Sequence, residues 1–142
     1  EYPGPIIASH SNPHRLCQVE RNIPDDIIRR LAERGGVMGI VPFNAFIQAG
    51  WRRGDPRDGI SVQQVADAID HVTQITGSSE FVGLGTDMDG GFGLDSIPAE
   101  LDTVTDIGLL GSYLSQLDYT TQEINLILME NWLRVLKSSL PA

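Results

Sequence analysis

Basic residues are scarce in this chain. Ten Lys and Arg stand against nineteen Asp and Glu, a formal net charge of -9 over 142 residues, and the basic stripe that a phosphate backbone demands is missing. No nucleic-acid partner is expected, and anionic surfaces are poor partners for the same reason. Cysteine is scarcer still. Cys17 stands alone, which rules out an internal disulfide, a thiol zinc cluster and a dithiol redox motif; its expected role is buried filler. The lack of disulfide potential leans toward a reducing, cytoplasmic location, which the sequence otherwise leaves open. No apolar run approaches the roughly 20 residues of a membrane helix, and no signal peptide is read at the start. The chain opens on Glu1 and runs straight into a strand-like segment, so the natural start is expected upstream.

What is present is a globular composition, with 41% hydrophobic residues, suited to one domain or a piece of a larger one. "GPIIASHS" is a short apolar run whose end carries His10, the pattern of a buried strand. In "IPDDIIRRLAERGG" Pro24 suits the first helical position, Asp25 and Asp26 suit the positive end of the dipole, and Gly35-Gly36 stop the helix. Its apolar face reads as Ile27, Ile28 and Leu31. "GVMGIVPF" is a second continuous apolar run. After the irregular "QAGWRRGDPRDG", the segment "SVQQVADAIDHVTQITG" has a capping box at Ser61 and Gln64, with Val62, Val65, Ile69 and Val72 at helical spacing. "EFVGLGTD" is the third strand. Helices are then expected near 104–117 and 120–137, the latter opened by Thr120 with Glu123 three residues on. Apolar strands alternating with helices argue for parallel strands covered by helices, and in such α/β folds ligands sit at the carboxyl ends of the strands. His10 and Asp87 both fall there.

"VGLGTDMDGG" places two carboxylates, Asp87 and Asp89, at one strand end. A calcium loop fails on its template, because its glycine and final glutamate would be Phe92 and Pro98. A haloacid-dehalogenase-type phosphatase using Asp87 as nucleophile would need a downstream lysine and a later acidic pair, whereas Lys137 is the chain's single lysine and "SSLPA" follows it. "GLG" does not extend to a dinucleotide fingerprint. The remaining reading is a turn in which the aspartates cap backbone amides. His10 by itself reads more readily as a satisfied core or turn histidine than as a metal ligand. His71 falls opposite Val62 on its helix and is expected to be either solvated or in the outer layer. His14 either reaches a site mouth or faces water. Arg21 follows a strand end, where a surface arginine is the default and a bidentate grip on a carboxylate is the functional alternative. "RRGDPR" reads as an exposed loop.

Together, "PIIASHS", "ERNIPDDIIRRLAERGGVMGI", "VADAIDHV", "VGLGTDMDG" and "ENWLRVL" resemble, in order and spacing, the renal or membrane dipeptidases, peptidase family M19 of the amidohydrolase superfamily. The resemblance implies a TIM barrel, of which residues 1–142 would be the C-terminal three strand-helix units. It further implies zinc-dependent hydrolysis of dipeptides by a metal-activated water. In that scheme His10 is a ligand of one zinc in a two-zinc site. Asp87 holds the activated water and passes its proton to the leaving amine, Arg21 binds the dipeptide carboxylate, and Asp89 shapes the loop behind them. Met88, "VPFNAF" and Glu130 depart from the family pattern at positions that touch pocket shape and packing.

The family's other metal ligands would lie upstream of Glu1. A barrel takes eight strands and about 250 residues, and a catalytic zinc takes three protein ligands. The chain alone is therefore expected to be inactive, with open strand edges covered by the missing N-terminal part or by self-association into a homo-oligomer. A non-catalytic, barrel-derived binding module is the alternative of a different class.

Overall fold

The structure is a computed structural model and describes residues 3–140. At its centre lie two short parallel strands, β1 (Met38–Ile40) and β2 (Val82–Leu84), in register Met38 with Val82 and Ile40 with Leu84. Val37, Met38, Ile40, Val41 and Val82 are all fully buried. Burial on both faces is what a continuous apolar run, as opposed to an alternating one, implies for a parallel strand.

The expected first strand is only partly formed. Ala8 makes an isolated parallel bridge to Met38, with Gly39 N–H donating to the Ala8 carbonyl (2.8 Å) and Ser11 N–H to that of Gly39 (2.9 Å). This segment lies beside β1 on the side away from β2, so the spatial order is the His10 segment, β1, β2. Ile6 and Ile7 stay 47% and 45% exposed, because no described residue pairs with the outer edge of this segment. A ladder completed on one side only does not hold a regular strand.

Helix α1 (Asp25–Glu33) begins after Pro24, which caps the helix from an extended conformation instead of occupying its first turn. Ile28, Leu31 and Ala32 are buried, but Ile27 is 43% exposed, against the sequence reading. One residue is 100° around a helix, and the face that meets the neighbouring helix is centred on Ile28 and Leu31. After a short turn of helix, α2 (Asn44–Ile47), the long α3 (Val62–Thr76) carries the core. Its start is held by Ser61 N–H donating to Gln64 Oε1 (2.8 Å), and Val62, Val65, Ile69 and Val72 are buried as their spacing requires. Each such side chain contributes about 1.5–3 kcal/mol by leaving water. His71 is not solvated. Its Nε2 lies 2.9 Å from Asp25 Oδ1, with the imidazole only 16% exposed, so this outer face of α3 is covered by the start of α1.

The expected helix near 104–117 opens as a 3₁₀ segment (Val104–Gly108) and continues as α4 (Leu109–Gln116). The last helix is interrupted. α5 (Thr121–Asn125) passes through a π turn (Leu126–Glu130) into α6 (Asn131–Ser139). A π turn holds one residue more than an α turn and shifts the helical register by about that much. The polar residues that follow it grip β2 and the turns that precede β1 and β2. Asn131 Nδ2 donates to the carbonyls of Ser79 (2.7 Å) and Val82 (2.8 Å), Trp132 Nε1 to that of Leu84 (3.0 Å), and Arg134 to those of Gly35 and Glu80 (2.9 and 2.7 Å).

Candidate active site

The His10 segment, β1 and β2 end side by side because glycines allow it. A Cβ at Gly39 or Gly85 would collide with the Ser9 carbonyl. Beyond these ends the chain turns sharply. Asp87 adopts φ +50, in the left-handed region, and accepts the Gly90 N–H at its carbonyl (2.8 Å). Such a conformation costs a non-glycine residue about 1–3 kcal/mol and concentrates at functional sites. The Asp87 carboxylate folds back over Gly90, where any Cβ would lie 2.6 Å from Oδ2. Asp89, at the third position of this turn, is exposed.

His10, Arg21 and Asp87 line one cavity of about 310 Å³, together with Phe43, Phe46, Arg53, Phe92 and Ser96. Three of the four residues singled out in the sequence are thus brought together, and Asp89 is not in the lining. His14 is also outside it, held through its backbone N–H on the Ile23 carbonyl (2.9 Å). His10 Nδ1 lies 2.7 Å from Ser9 Oγ, and His10 Nε2 lies 2.9 Å from Arg21 Nη2. A guanidinium only donates, so Nε2 is the acceptor here and the ring proton sits on Nδ1. The lone pair that would meet a metal is therefore the one turned to Arg21.

Sequence reading missed Arg53, the aromatic wall and Ser96. Arg53 lies in the loop between α2 and α3 and reaches Asp95 Oδ2 with its Nε at 3.4 Å. Asp95 in turn accepts the Ser96 hydroxyl at Oδ1 (2.9 Å); that bond first, and Arg53 after it, hold the Asp95 carboxyl below its ordinary value. Phe43 is the hub of the wall, edge-on to Phe46 (4.9 Å between centroids) and tilted against Phe92 (4.7 Å). The loop that bears Phe92 and Ser96 is tied down by Arg57, which donates to the carbonyls of Ile97, Pro98 and Leu101 (3.0, 2.7 and 3.2 Å), while Asn44 Nδ2 also reaches the Ile97 carbonyl (3.1 Å). The clustered Arg in "WRRGDPRDG" was the available signal, yet nothing local says which of them turns inward.

The donor set was tested against a catalytic metal. Among the described residues no group of three or more His, Cys, Asp or Glu is placed to hold an ion. One imidazole nitrogen and one carboxylate face the cavity, fewer than the three protein ligands a catalytic zinc takes. The described residues by themselves do not complete a metal site.

With fold and cavity in hand, the relatives can be compared. Residues 3–140 match the sequence family described as membrane dipeptidase, peptidase family M19. A Klebsiella pneumoniae protein described as an uncharacterized protein in the pqqA 5′ region is 35% identical over 135 residues, which is 95% of this chain and 47% of that protein. Dipeptidase 3 of Macaca fascicularis is 30% identical over 136 residues, 96% of this chain and 26% of the relative. The crystal structure of a metallopeptidase from Rhodobacter sphaeroides, liganded with a phosphinate mimic of the dipeptide L-Ala-D-Ala, superposes with a TM-score of 0.83 at 26% identity, covering 96% of this chain and 37% of that one. The chain belongs to the M19 membrane dipeptidase family, and its α/β architecture with a parallel sheet matches the fold of that family. It spans less than half the length of each of these relatives.

Proposed function

We propose that this chain is the C-terminal three strand-helix units of a TIM barrel whose complete form hydrolyses dipeptides with the help of two zinc ions. The observation that carries the reading is the convergence of His10, Arg21 and Asp87, from three separate segments, on one cavity at the carboxyl ends of the strands. The dipeptide mimic bound to the Rhodobacter sphaeroides relative supports the substrate class.

His10 would supply Nε2 as a ligand to one zinc, the further ligands coming from the rest of the barrel. Zinc, when bound, polarises the scissile carbonyl and makes water acidic enough to act as a nucleophile near neutral pH. The chain's own residues do the rest. Ser9 Oγ orients the imidazole from Nδ1, which keeps the Nε2 lone pair pointed at the cavity. Asp87, fixed by its left-handed backbone and by Gly90, takes the proton of the attacking water on a carboxylate oxygen and delivers it to the leaving amine. Arg21 takes the free carboxylate of the dipeptide with a pair of parallel hydrogen bonds and releases His10 Nε2 as it does so. Asp89 shapes the turn that presents Asp87.

The whole protein, given zinc, is expected to cleave simple dipeptides and to lose this activity on chelation, while residues 1–142 alone show none. A chelator-insensitive or absent activity in the whole protein overturns the reading. The second reading, a non-catalytic binding module, is decided by whether the whole protein retains zinc through purification. The phosphatase reading finds no lysine in the lining of the Asp87 cavity.

A further inference from the structure

The candidate cavity holds a second guanidinium that dipeptide hydrolysis as proposed above does not use. Arg53 lines the same space as Arg21, and against these two cations the lining carries one carboxylate, Asp87. Asp95, outside the lining, pairs with Arg53 and brings the local balance to two charges of each sign, so what marks Arg53 is the set of donors it leaves unused.

The contacts of Arg53 leave it free to act. Asp95 engages it only through Nε, at the long distance of 3.4 Å, and no described residue hydrogen-bonds its two terminal nitrogens. The pair is open to water, with the side chains 66% and 52% exposed, so the ion pair holds Arg53 near the cavity mouth without consuming it. Asp95 is itself anchored by Ser96, a fully buried member of the cavity lining, which fixes the place where the guanidinium is held. The free edge of Arg53 carries the parallel donors that match a carboxylate.

We infer that Arg53 is a specificity-determining residue that selects dipeptides bearing a second carboxylate, on a side chain, in addition to the terminal one assigned to Arg21. This rests on the dipeptidase reading of the cavity. With one arginine for each carboxylate, an acidic dipeptide fills both donor sets, whereas its amide isostere leaves Arg53 on Asp95. A cavity of about 310 Å³ is of the size that a ligand of this kind needs.

The test uses the zinc-loaded whole protein and two isosteric pairs, alanyl-glutamate with alanyl-glutamine and glutamyl-alanine with glutaminyl-alanine. In at least one pair the acid is expected to exceed the amide by about tenfold in kcat/KM. Arg53→Ala should bring that ratio to about one. A ratio near one in both pairs for the unmodified protein, or a ratio that survives Arg53→Ala, overturns the inference even though dipeptides are cut. Calorimetric binding of the same four dipeptides to an Asp87→Asn protein separates the two readings. Preferential binding of the acid that disappears with Arg53 upholds this inference even if no dipeptide is hydrolysed, and its absence counts against it.

Discussion

Arg21 Nη2 sits 2.9 Å from His10 Nε2, a cation resting on the imidazole nitrogen that would otherwise face a metal. The contact ties the two assignments together. His10 can hold an ion through Nε2 only once Arg21 has moved off it, whereas Arg21 keeps its other N–H donors for a carboxylate throughout. Metal ligation therefore requires the two side chains to separate.

Replacing Arg21 and His10 should separate the two roles. Arg21→Ala in the whole protein is expected to raise KM for a dipeptide by about tenfold or more, the size of a lost charge-assisted contact, with zinc content unchanged. His10→Ala should lower zinc content as well as activity. Steady-state kinetics and elemental analysis of the purified variants check this; loss of zinc in Arg21→Ala would show that the arginine serves the metal site instead of the substrate.

Asp87→Asn keeps the shape of the turn and removes the proposed base, so kcat of the whole protein should fall by about 10²–10⁴. Gly90→Ala attacks the same group from outside. Gly90 does not have a positive φ, so alanine meets no backbone penalty, but its methyl would land on the Asp87 carboxylate. Activity should drop with little change in melting temperature, and an active Gly90→Ala protein would mean that the carboxylate is free to move without consequence.

Asn131 is 1% exposed and supplies one amide nitrogen to two carbonyls, Ser79 in the turn before β2 and Val82 at its start. Asn131→Ala leaves both acceptors short of a donor in a dry site and should cost about 2–4 kcal/mol in urea denaturation. Arg134→Ala removes two hydrogen bonds of similar length from an exposed side chain and should cost clearly less, because water replaces the donor. Equal losses would contradict the burial argument.

Acid should loosen the helix starts. Glu123 is held below its ordinary 4.5 by the side chain and then the backbone N–H of Thr120, and Asp106 below its ordinary 3.8 by the backbone N–H and then the side chain of Thr103. For a lowered folded value, the stabilisation is complete above the ordinary value and is lost as pH falls through the folded one. The contribution of both caps is thus full at neutral pH and declines below about 4. Glu123→Gln should flatten part of this decline in melting temperature, and an unchanged acid profile in that variant would show that the cap does not respond to protonation.

Much of this was legible one segment at a time. The faces of α3 follow from Val62, Val65, Ile69 and Val72, and the Ser61 and Thr120 caps from the Gln and Glu three residues on, because helix period and capping are local matters. Ile27 was misjudged, and the solvated alternative for His71 gave way to the outer-layer one, for a shared reason. Both lie on helix edges, where periodicity gives a direction but not the neighbour that α1 and α3 become for each other. Likewise the "PIIASHS" run has the composition of a strand, while a regular ladder needs partners on its edges.

By itself, then, the amino-acid order determined that apolar runs ending in His10 and Asp87 alternate with amphipathic helices, and that the chain carries the motifs of the M19 family. Only the tertiary structure decided that Arg53 enters the Asp87 cavity, that Arg21 lies on His10 Nε2, and that Asn131, Trp132 and Arg134 bind backbone carbonyls about 50 to 100 positions away in the chain. The reason is one of range. Periods of 2 and 3.6 residues orient a side chain relative to its own backbone, but the partner it meets is set by how loops and helix packing bring distant segments together.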